Sequence, residues 1–167
     1  MATTVTVSHD FPFSCQAYVD IFFDPEFAKY VLSLGKLSVY EPMKFEKSDT
    51  RIHRVMMVQP KVDLPGWFKK IIGGDKLAYH EHMTHEVGSK EMISKVVPTV
   101  LTGKVNIEGI ITLEELPGGG CRRGAKLHVS VSMFGVGGKI EKALSKNVRE
   151  GYDFGRTNMT NFWNARS

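Results

Sequence analysis

The C-terminal stretch constrains the fold of this chain more than any other part of it. Residues 135–167 open with a cluster of glycines and contain no proline. Apolar side chains recur there at helical spacing, and charged ones such as Lys142, Lys146 and Arg149 fall on the opposite face. The apolar stripe consists of Ile140, Leu144, Val148, Tyr152, Gly155, Met159 and Phe162. A helix over Gly138–Ala165 would be roughly 40 Å long, so the rest of the chain must cover its stripe.

The chain has the length and composition of a single domain. It has 167 residues, of which 42% are hydrophobic and 24% charged, as in ordinary globular proteins. We expect one domain, residues 1–167, because no linker, repeat or low-complexity tract interrupts it. No apolar run reaches membrane-spanning length, no signal peptide is visible, and two cysteines cannot form a disulfide framework. These features favour a cytoplasmic protein, and we expect no cofactor.

The positive charge of the chain is modest and dispersed. The net charge is +4 and the isoelectric point is about 9.0. Basic residues are spread along the sequence, which is typical of a solvated surface, although an anionic membrane surface is a second interpretation. Nucleic acid is disfavoured as a partner because basic and aromatic residues do not interleave on any one strand.

Local signals predict one strand and then two short helices at the start of the chain. Residues 3–9 alternate and are rich in β-branched side chains, which indicates a strand. Ser14 can cap a helix that extends to about Phe23. Asp24, followed by proline, can cap a second helix that ends before Gly35.

About six strands are predicted to follow. Hairpin signals join Leu37–Lys47 to Thr50–Gln59, and Leu77–Val87 to Glu91–Val97. The stretches Val105–Glu114 and Lys126–Met133 alternate apolar and polar residues, as strands with one dry and one wet face do. An antiparallel sheet with a dry face can bury an amphipathic helix by curving around it. We therefore predict an α+β fold in which a curved antiparallel sheet wraps around the long C-terminal helix.

Two segments resemble those of a known superfamily. Residues 133–142, Met-Phe-Gly-Val-Gly-Gly-Lys-Ile-Glu-Lys, look like its junction between last strand and helix, and Leu64-Pro65 with residues 68–74 looks like its central segment. With the element order, they resemble the START-like superfamily, also called the helix-grip or birch-pollen-allergen-like fold, and most of all a START-like family of uncharacterised function. The resemblance covers nearly the whole chain. It implies a hydrophobic tunnel between sheet and helix, in a superfamily whose members bind or move lipids, sterols, hormones and polyketides and include a minority of enzymes.

If the resemblance holds, the tunnel is lined by the dry face of the strands and by the helix stripe. The predicted ligand-binding residues are Met57, Met83, Ile107, Ile111, Leu113, Leu127, Val129, Val131, Met133, Val148, Tyr152, Gly155 and Met159. Methionines suit a deformable pocket but are also ordinary core residues. Glycine within the helix either leaves volume for a ligand or allows close packing or a kink.

The segment Trp67–Ile72 has two interpretations. Trp67, Phe68, Ile71 and Ile72 lie beside Lys69 and Lys70, and glycines flank the segment. An aromatic and basic amphipathic turn suits an interfacial contact with anionic lipid. The interpretation that we favour is a short lid helix whose apolar face covers the end of the core, and a mobile lid can do both.

The histidines of one predicted strand invite a metal hypothesis that we do not favour. On a strand, His80 and His82 share one face, whereas His85 and Glu81 share the other. A transition-metal site would need a third ligand, which His53 or His128 could supply only if the fold brings them together. Solvent-facing polar residues explain the pattern without a metal.

No catalytic motif is visible. Cys15 with His9 and Asp10 is a conceivable nucleophile, base and orienting acid, supported only by proximity in sequence. Tyr79, Glu81 or His85, facing a cavity, could transfer protons on a bound polyketide or terpenoid. The leading hypothesis is a non-catalytic carrier or sensor of a hydrophobic, lipid-like small molecule. The alternatives are a cyclase- or hydrolase-type enzyme that uses the same pocket, and a protein-interaction domain with a filled core and an apolar patch around Trp67.

Overall fold

The secondary structure follows the predicted order from one end of the chain to the other. The computed structural model describes residues 2–167. Its strands are β1 (Ala2–Phe11), β2 (Leu37–Lys47), β3 (Arg51–Pro60), β4 (Tyr79–Glu86), β5 (Glu91–Pro98), β6 (Val105–Glu115) and β7 (Cys121–Val131). Its helices are α1 (Cys15–Phe22), α2 (Pro25–Ser33), α3 (Gly66–Ile72) and α4 (Gly137–Arg166).

All seven strands form one antiparallel sheet. Their order is β1-β7-β6-β5-β4-β3-β2, so neighbours in sequence are neighbours in space except that β1 pairs with β7. The register places Val5 opposite Leu127 and Ile107 opposite Val129, which gathers apolar side chains on the inner face. The sheet curves around α4, and this confirms the predicted helix-grip fold.

Helix α4 buries its apolar stripe mainly against β1 and β7. Ile140 and Met159 are almost fully buried, with 0% and 2% of their surface exposed. At its C-terminal end the Phe162 ring meets the Phe27 ring of α2 edge to face, 5.2 Å between centroids. In the middle of the helix, Val148 and Tyr152 are only half-buried. The stripe therefore packs tightly at both ends and less tightly between them.

Side-chain caps start the two short helices where the sequence predicts them. Ser14 Oγ accepts a hydrogen bond from the Ala17 backbone N–H at 3.0 Å. Asp24 Oδ1 accepts one from the Glu26 N–H at 2.8 Å, with proline in the first turn. Both caps satisfy backbone donors that the helix itself leaves free.

Strand β7 begins earlier than predicted. The alternation predicts Lys126–Met133, whereas the observed strand is Cys121–Val131. Residues 121–125 keep the alternation, but their inward position 123 is an arginine, with 2% of its surface exposed. Since a charged residue normally faces water, the sequence pattern hides the first half of this strand.

Candidate functional site

The inner face of the sheet changes from apolar to polar as it crosses from β7 to β3. One cross-strand row contains Leu127, Gly109, Ser94, Met83 and Arg54. The adjacent row contains Val129, Ile107, Val96, Glu81 and Met56. Directly opposite residues share a face of an antiparallel sheet, so Arg54, Glu81 and Ser94 all point toward α4.

Arg54 is a buried guanidinium held between helix α1 and Glu81. It exposes 3% of its surface, and its Nη1 donates to the Phe22 carbonyl at 2.7 Å. Its charge lies over the rings of Phe22 and Phe23, 4.7 and 5.1 Å from their centroids. Within residues 2–167, neither Nε nor Nη2 has a hydrogen-bond partner. The α1 side of the interior thus keeps unused donors.

Glu81 is the acidic member of this cluster. Its Oε1 lies 3.7 Å from Arg54 Nη2, and 23% of its side chain is accessible. Glu81 therefore lies on the inner face of the sheet and keeps part of its side chain accessible. Burial raises the pKa of the carboxyl group, and the nearby Arg54 charge only partly offsets that effect.

Three tyrosines lie close enough to Glu81 for its charge to raise their pKa values. Burial, together with the Glu81 charge, raises the pKa of Tyr40 to about 12. Burial likewise raises the pKa of Tyr79 and of Tyr152, with a contribution from Glu81 in each case. At neutral pH all three hydroxyls are therefore protonated and can donate a hydrogen bond to a ligand.

A second buried guanidinium, that of Arg123, lies beside the same cluster. Its Nη1 donates to the Tyr18 hydroxyl at 3.3 Å, and its Nη2 donates to His9 Nδ1 at 2.6 Å and to the Tyr152 carbonyl at 3.2 Å. His9 Nε2 in turn lies 2.9 Å from Asp153 Oδ1. Burial and the Arg123 charge lower the pKa of His9, which favours a neutral ring that accepts at Nδ1 and donates at Nε2.

Helix α3 lies at the end of the interior near the start of α4. Phe68 is buried at 1% exposure, and Trp67, Ile71 and Ile72 are half-buried against the core. The Lys139 ammonium of α4 lies 4.0 Å from the centroid of the Trp67 ring. The apolar side of α3 thus faces inward, as a lid helix requires, while Lys70 remains exposed.

Most of the predicted lining residues lie on the inner face or on the α4 stripe. The strand residues among them are all buried: Met83, Ile107, Ile111, Leu113, Leu127, Val129 and Val131. On α4, Met159 is buried, while Val148, Tyr152 and Gly155 are half-buried. Met133 follows β7 and is also half-buried.

Two predicted lining positions, Met57 and Gly155, lie in surroundings that the sequence does not predict. Met57 pairs with His80 on the outer face, so it is removed from the lining, and Met56 takes the inner position. Two adjacent methionines cannot be told apart by alternation alone, since a shift of one residue changes the face. At Gly155, a Cβ atom would lie 3.9 Å from Arg123 Nη1, so the buried arginine occupies the space beside this glycine.

The histidines divide between the two faces as the sequence indicates. His53 and His82 are neighbours on the outer face, 6.0 Å between ring centroids, and His80 shares that face. His85 points inward, with Nδ1 3.2 Å from the Glu91 carbonyl. Across residues 2–167, no group of three or more His, Cys, Asp or Glu side chains is arranged to hold a metal ion.

The conceivable catalytic group around Cys15 is not assembled. Both ring nitrogens of His9 are engaged by Arg123 and Asp153, and Asp10 pairs with Arg122 at 2.8 Å. Proximity in sequence is misleading here because a turn separates β1 from α1. The arginines and tyrosines of the inner face, apart from Tyr79 and Tyr152, do not emerge from the sequence alone. Alternation places Arg54 and Arg123 at inward positions of β3 and β7 only once the register of these strands is known.

Among residues 2–167, no helix is long and apolar enough to cross a membrane.

Comparison with solved structures identifies the class of fold. The chain is similar to the Zhui aromatase/cyclase from Streptomyces sp. R1128, with a TM-score of 0.70 and 8% identity over 99% of this chain and 96% of that one. It is similar to norcoclaurine synthase from Thalictrum flavum, with a TM-score of 0.63 and 12% identity over 100% and 98% of the two chains. A START superfamily protein from Mycobacterium smegmatis aligns with a TM-score of 0.55 and 9% identity over 95% and 98%. The protein therefore has the START-like, helix-grip fold, and at these identities the likeness shows the fold alone.

Sequence comparison gives the family. No curated protein matches the chain in sequence. The family model described as "Protein of unknown function (DUF2505)" matches residues 6–162. The chain belongs to this family.

Proposed function

We propose that residues 1–167 form a single ligand-binding domain that holds an amphipathic small molecule between the sheet and α4. The apolar body of the ligand lies against Val148, in the half-buried part of the α4 stripe, and against Met133, which follows β7. Its polar end meets Glu81 and the tyrosine hydroxyls. Burial of the apolar body supplies most of the affinity, at about 25 cal/mol per Å², and a few polar groups fix orientation.

The observation that carries this proposal is the position of Glu81. Its carboxyl group points into the interior and remains accessible, and its surroundings among residues 2–167 include the Arg54 charge but no hydrogen bond. Because the carboxyl group is accessible and has no hydrogen bond within the described residues, a hydroxyl, carbonyl or amine group of a ligand can pair with it. A purely hydrocarbon ligand would cover the carboxyl group without such a bond, at a cost of about 1–3 kcal/mol. We therefore expect a ligand with a polar end.

The direct test is to identify the ligand and then ask whether Glu81 holds it. Native mass spectrometry of the purified protein, followed by organic extraction, should give an amphipathic compound at near one-to-one stoichiometry. Glu81→Leu should weaken its binding at least about tenfold, the equivalent of one lost hydrogen bond. Glu86→Leu is the matched control, because Glu86 lies on the same strand with 64% of its side chain exposed. Equal affinity in both variants would contradict the role of Glu81.

A second candidate function, proton-transfer catalysis on the bound molecule, is favoured by the raised pKa of Glu81. A carboxyl group whose pKa lies nearer neutrality is a better general acid or base, and tyrosine hydroxyls beside it can donate to a developing oxyanion. In this case the extracted compound should be converted by the protein, and Glu81→Gln should bind it but not convert it. Recovery of the compound unchanged after long incubation with wild type would exclude catalysis and leave only the carrier function.

Helix α3 serves in this proposal as the gate. Its inward apolar face must move for a ligand to enter at that end, so Trp67→Ala should speed release of the extracted compound. An unchanged release rate would exclude α3 as the gate.

Lys69 and Lys70 place positive charge beside the apolar groups of α3, which suits peripheral contact with an anionic membrane during loading. Cosedimentation with anionic but not with neutral vesicles tests that contact, and equal sedimentation with both would contradict it.

A further inference from the structure

The two cysteines of the chain, far apart in sequence, lie side by side in the fold. Cys15 is the first residue of α1 and is half-buried, and Cys121 is the first residue of β7 and is fully buried. The Cys15 backbone N–H donates to Glu115 Oε1 at 3.1 Å. Glu115 is directly opposite Cys121 in the β6–β7 register. Cys121 belongs to the buried core cluster and Cys15 packs against that cluster, and each thiol affects the pKa of the other.

We propose that Cys15 and Cys121 are a modification site, a dithiol that a peroxide converts to an intramolecular disulfide. Cys15 is the more accessible thiol, so its sulfur attacks the peroxide, the O–O bond breaks, and a sulfenic acid and water form. The Cys121 sulfur then attacks the Cys15 sulfur, the S–O bond breaks, and a second water leaves. Two thiols are oxidised by two electrons while one hydrogen peroxide is reduced to two waters.

The location gives the disulfide a structural consequence. Cys15 lies one helical turn before Tyr18, and Cys121 lies two residues before Arg123, whose guanidinium donates to the Tyr18 hydroxyl. A bond between the cysteines would fix α1 to β7 beside that contact and so hold α1 over the polar interior. Burial raises the pKa of both thiols, so both are protonated at neutral pH and oxidation is slow. The site therefore responds to sustained rather than brief exposure to oxidant.

The test is intact-mass analysis of folded protein after graded exposure to hydrogen peroxide with a metal chelator present. Wild type should lose about 2 Da, the mass of two hydrogens, and a non-reduced digest should contain the peptide that links residues 15 and 121. The melting temperature should rise by roughly 5–15 °C and return on reduction. Cys15→Ser should show neither change.

Two results would overturn the proposal. The first is stepwise oxygen addition at Cys15 while Cys121 remains a free thiol, since a neighbouring resolving thiol should intercept the sulfenic acid. The second is a crosslink that forms only between chains or only after denaturation. Because Cys121 is fully buried, its replacement by serine would lower stability by itself, so Cys15→Ala serves as the second variant. Its circular-dichroism spectrum and melting temperature should match those of reduced wild type.

Discussion

At Glu81 the protein keeps an ionisable group where an apolar side chain would pack more favourably. The pKa of Glu81 is raised by burial, so the folded state binds this proton more tightly than the unfolded chain does. That contribution to stability is complete below the ordinary carboxyl value of 4.5 and is lost as the pH rises through the raised value. At neutral pH, Glu81 therefore lowers the free energy of unfolding, as functional residues often do.

Because the ionised Glu81 lowers stability at neutral pH, its replacement by glutamine should raise the free energy of unfolding there. Glutamine resembles the protonated carboxyl group, so the variant should be more stable than wild type at pH 7. The difference should shrink toward zero as the pH falls below about 4. Urea unfolding at both pH values measures it, with Glu86→Gln, exposed on the same strand, as the control. A less stable variant at pH 7 would mean that the pair with Arg54 outweighs the cost of burial.

The burial of the two arginines could not be predicted from the sequence. Arg54 and Arg123 occupy inward positions of β3 and β7, where alternation favours apolar residues. Their burial depends on acceptors that come from distant parts of the chain: the Phe22 and Tyr152 carbonyls, the Tyr18 hydroxyl and His9 Nδ1. Because a single sequence does not contain these tertiary contacts, it could not place either guanidinium in the interior.

At the scale of the elements, β6 and β7 lie so close together at Gly109 that no side chain fits there. A Cβ atom at Gly109 would collide with the backbone of Lys126 and Leu127, and backbone cannot move aside as a side-chain end can. Gly109→Ala should therefore destabilise the protein by about 3 kcal/mol. Gly151→Ala is the matched substitution, because a Cβ there on α4 meets nothing within 4 Å.

For the control, Gly151→Ala, we expect an increase in the free energy of unfolding. Alanine in place of an exposed helical glycine should stabilise the protein by about 0.5–1 kcal/mol. Denaturant unfolding of both variants decides the point. Similar destabilisation by the two substitutions would show that helix geometry, not the β6–β7 approach, governs glycine in this fold.

The elements themselves were largely predictable, because their signals are local. The caps at Ser14 and Asp24 and the hairpin between β2 and β3 each depend on a few adjacent residues. The two alternating strands and the α4 stripe depend on periodicity, which a sequence also displays. What local signals could not supply was register, and so the inner position of β3 was assigned to Met57 when it belongs to Met56.

At the scale of the whole molecule, one helix covers only part of one sheet. Helix α4 packs mainly on β1 and β7. The polar residues of β3–β5 lie on the part of the sheet that α4 covers less closely. The apolar part of the fold provides stability, and the polar part provides the candidate site. This division explains why the helix-grip fold followed from amphipathic patterns whereas the site did not, since its members are polar residues buried by tertiary contacts.

The most direct test of the central claim is to fill the interior and measure ligand binding. Val148→Trp places a large side chain at the half-buried centre of the α4 stripe. Lys146→Trp places the same side chain on the exposed face of α4, where 76% of the lysine side chain is accessible. Titration of the extracted compound, with circular dichroism to confirm folding, should show binding abolished at 148 and unchanged at 146. Full affinity in a folded Val148→Trp variant would contradict a ligand site between the sheet and α4.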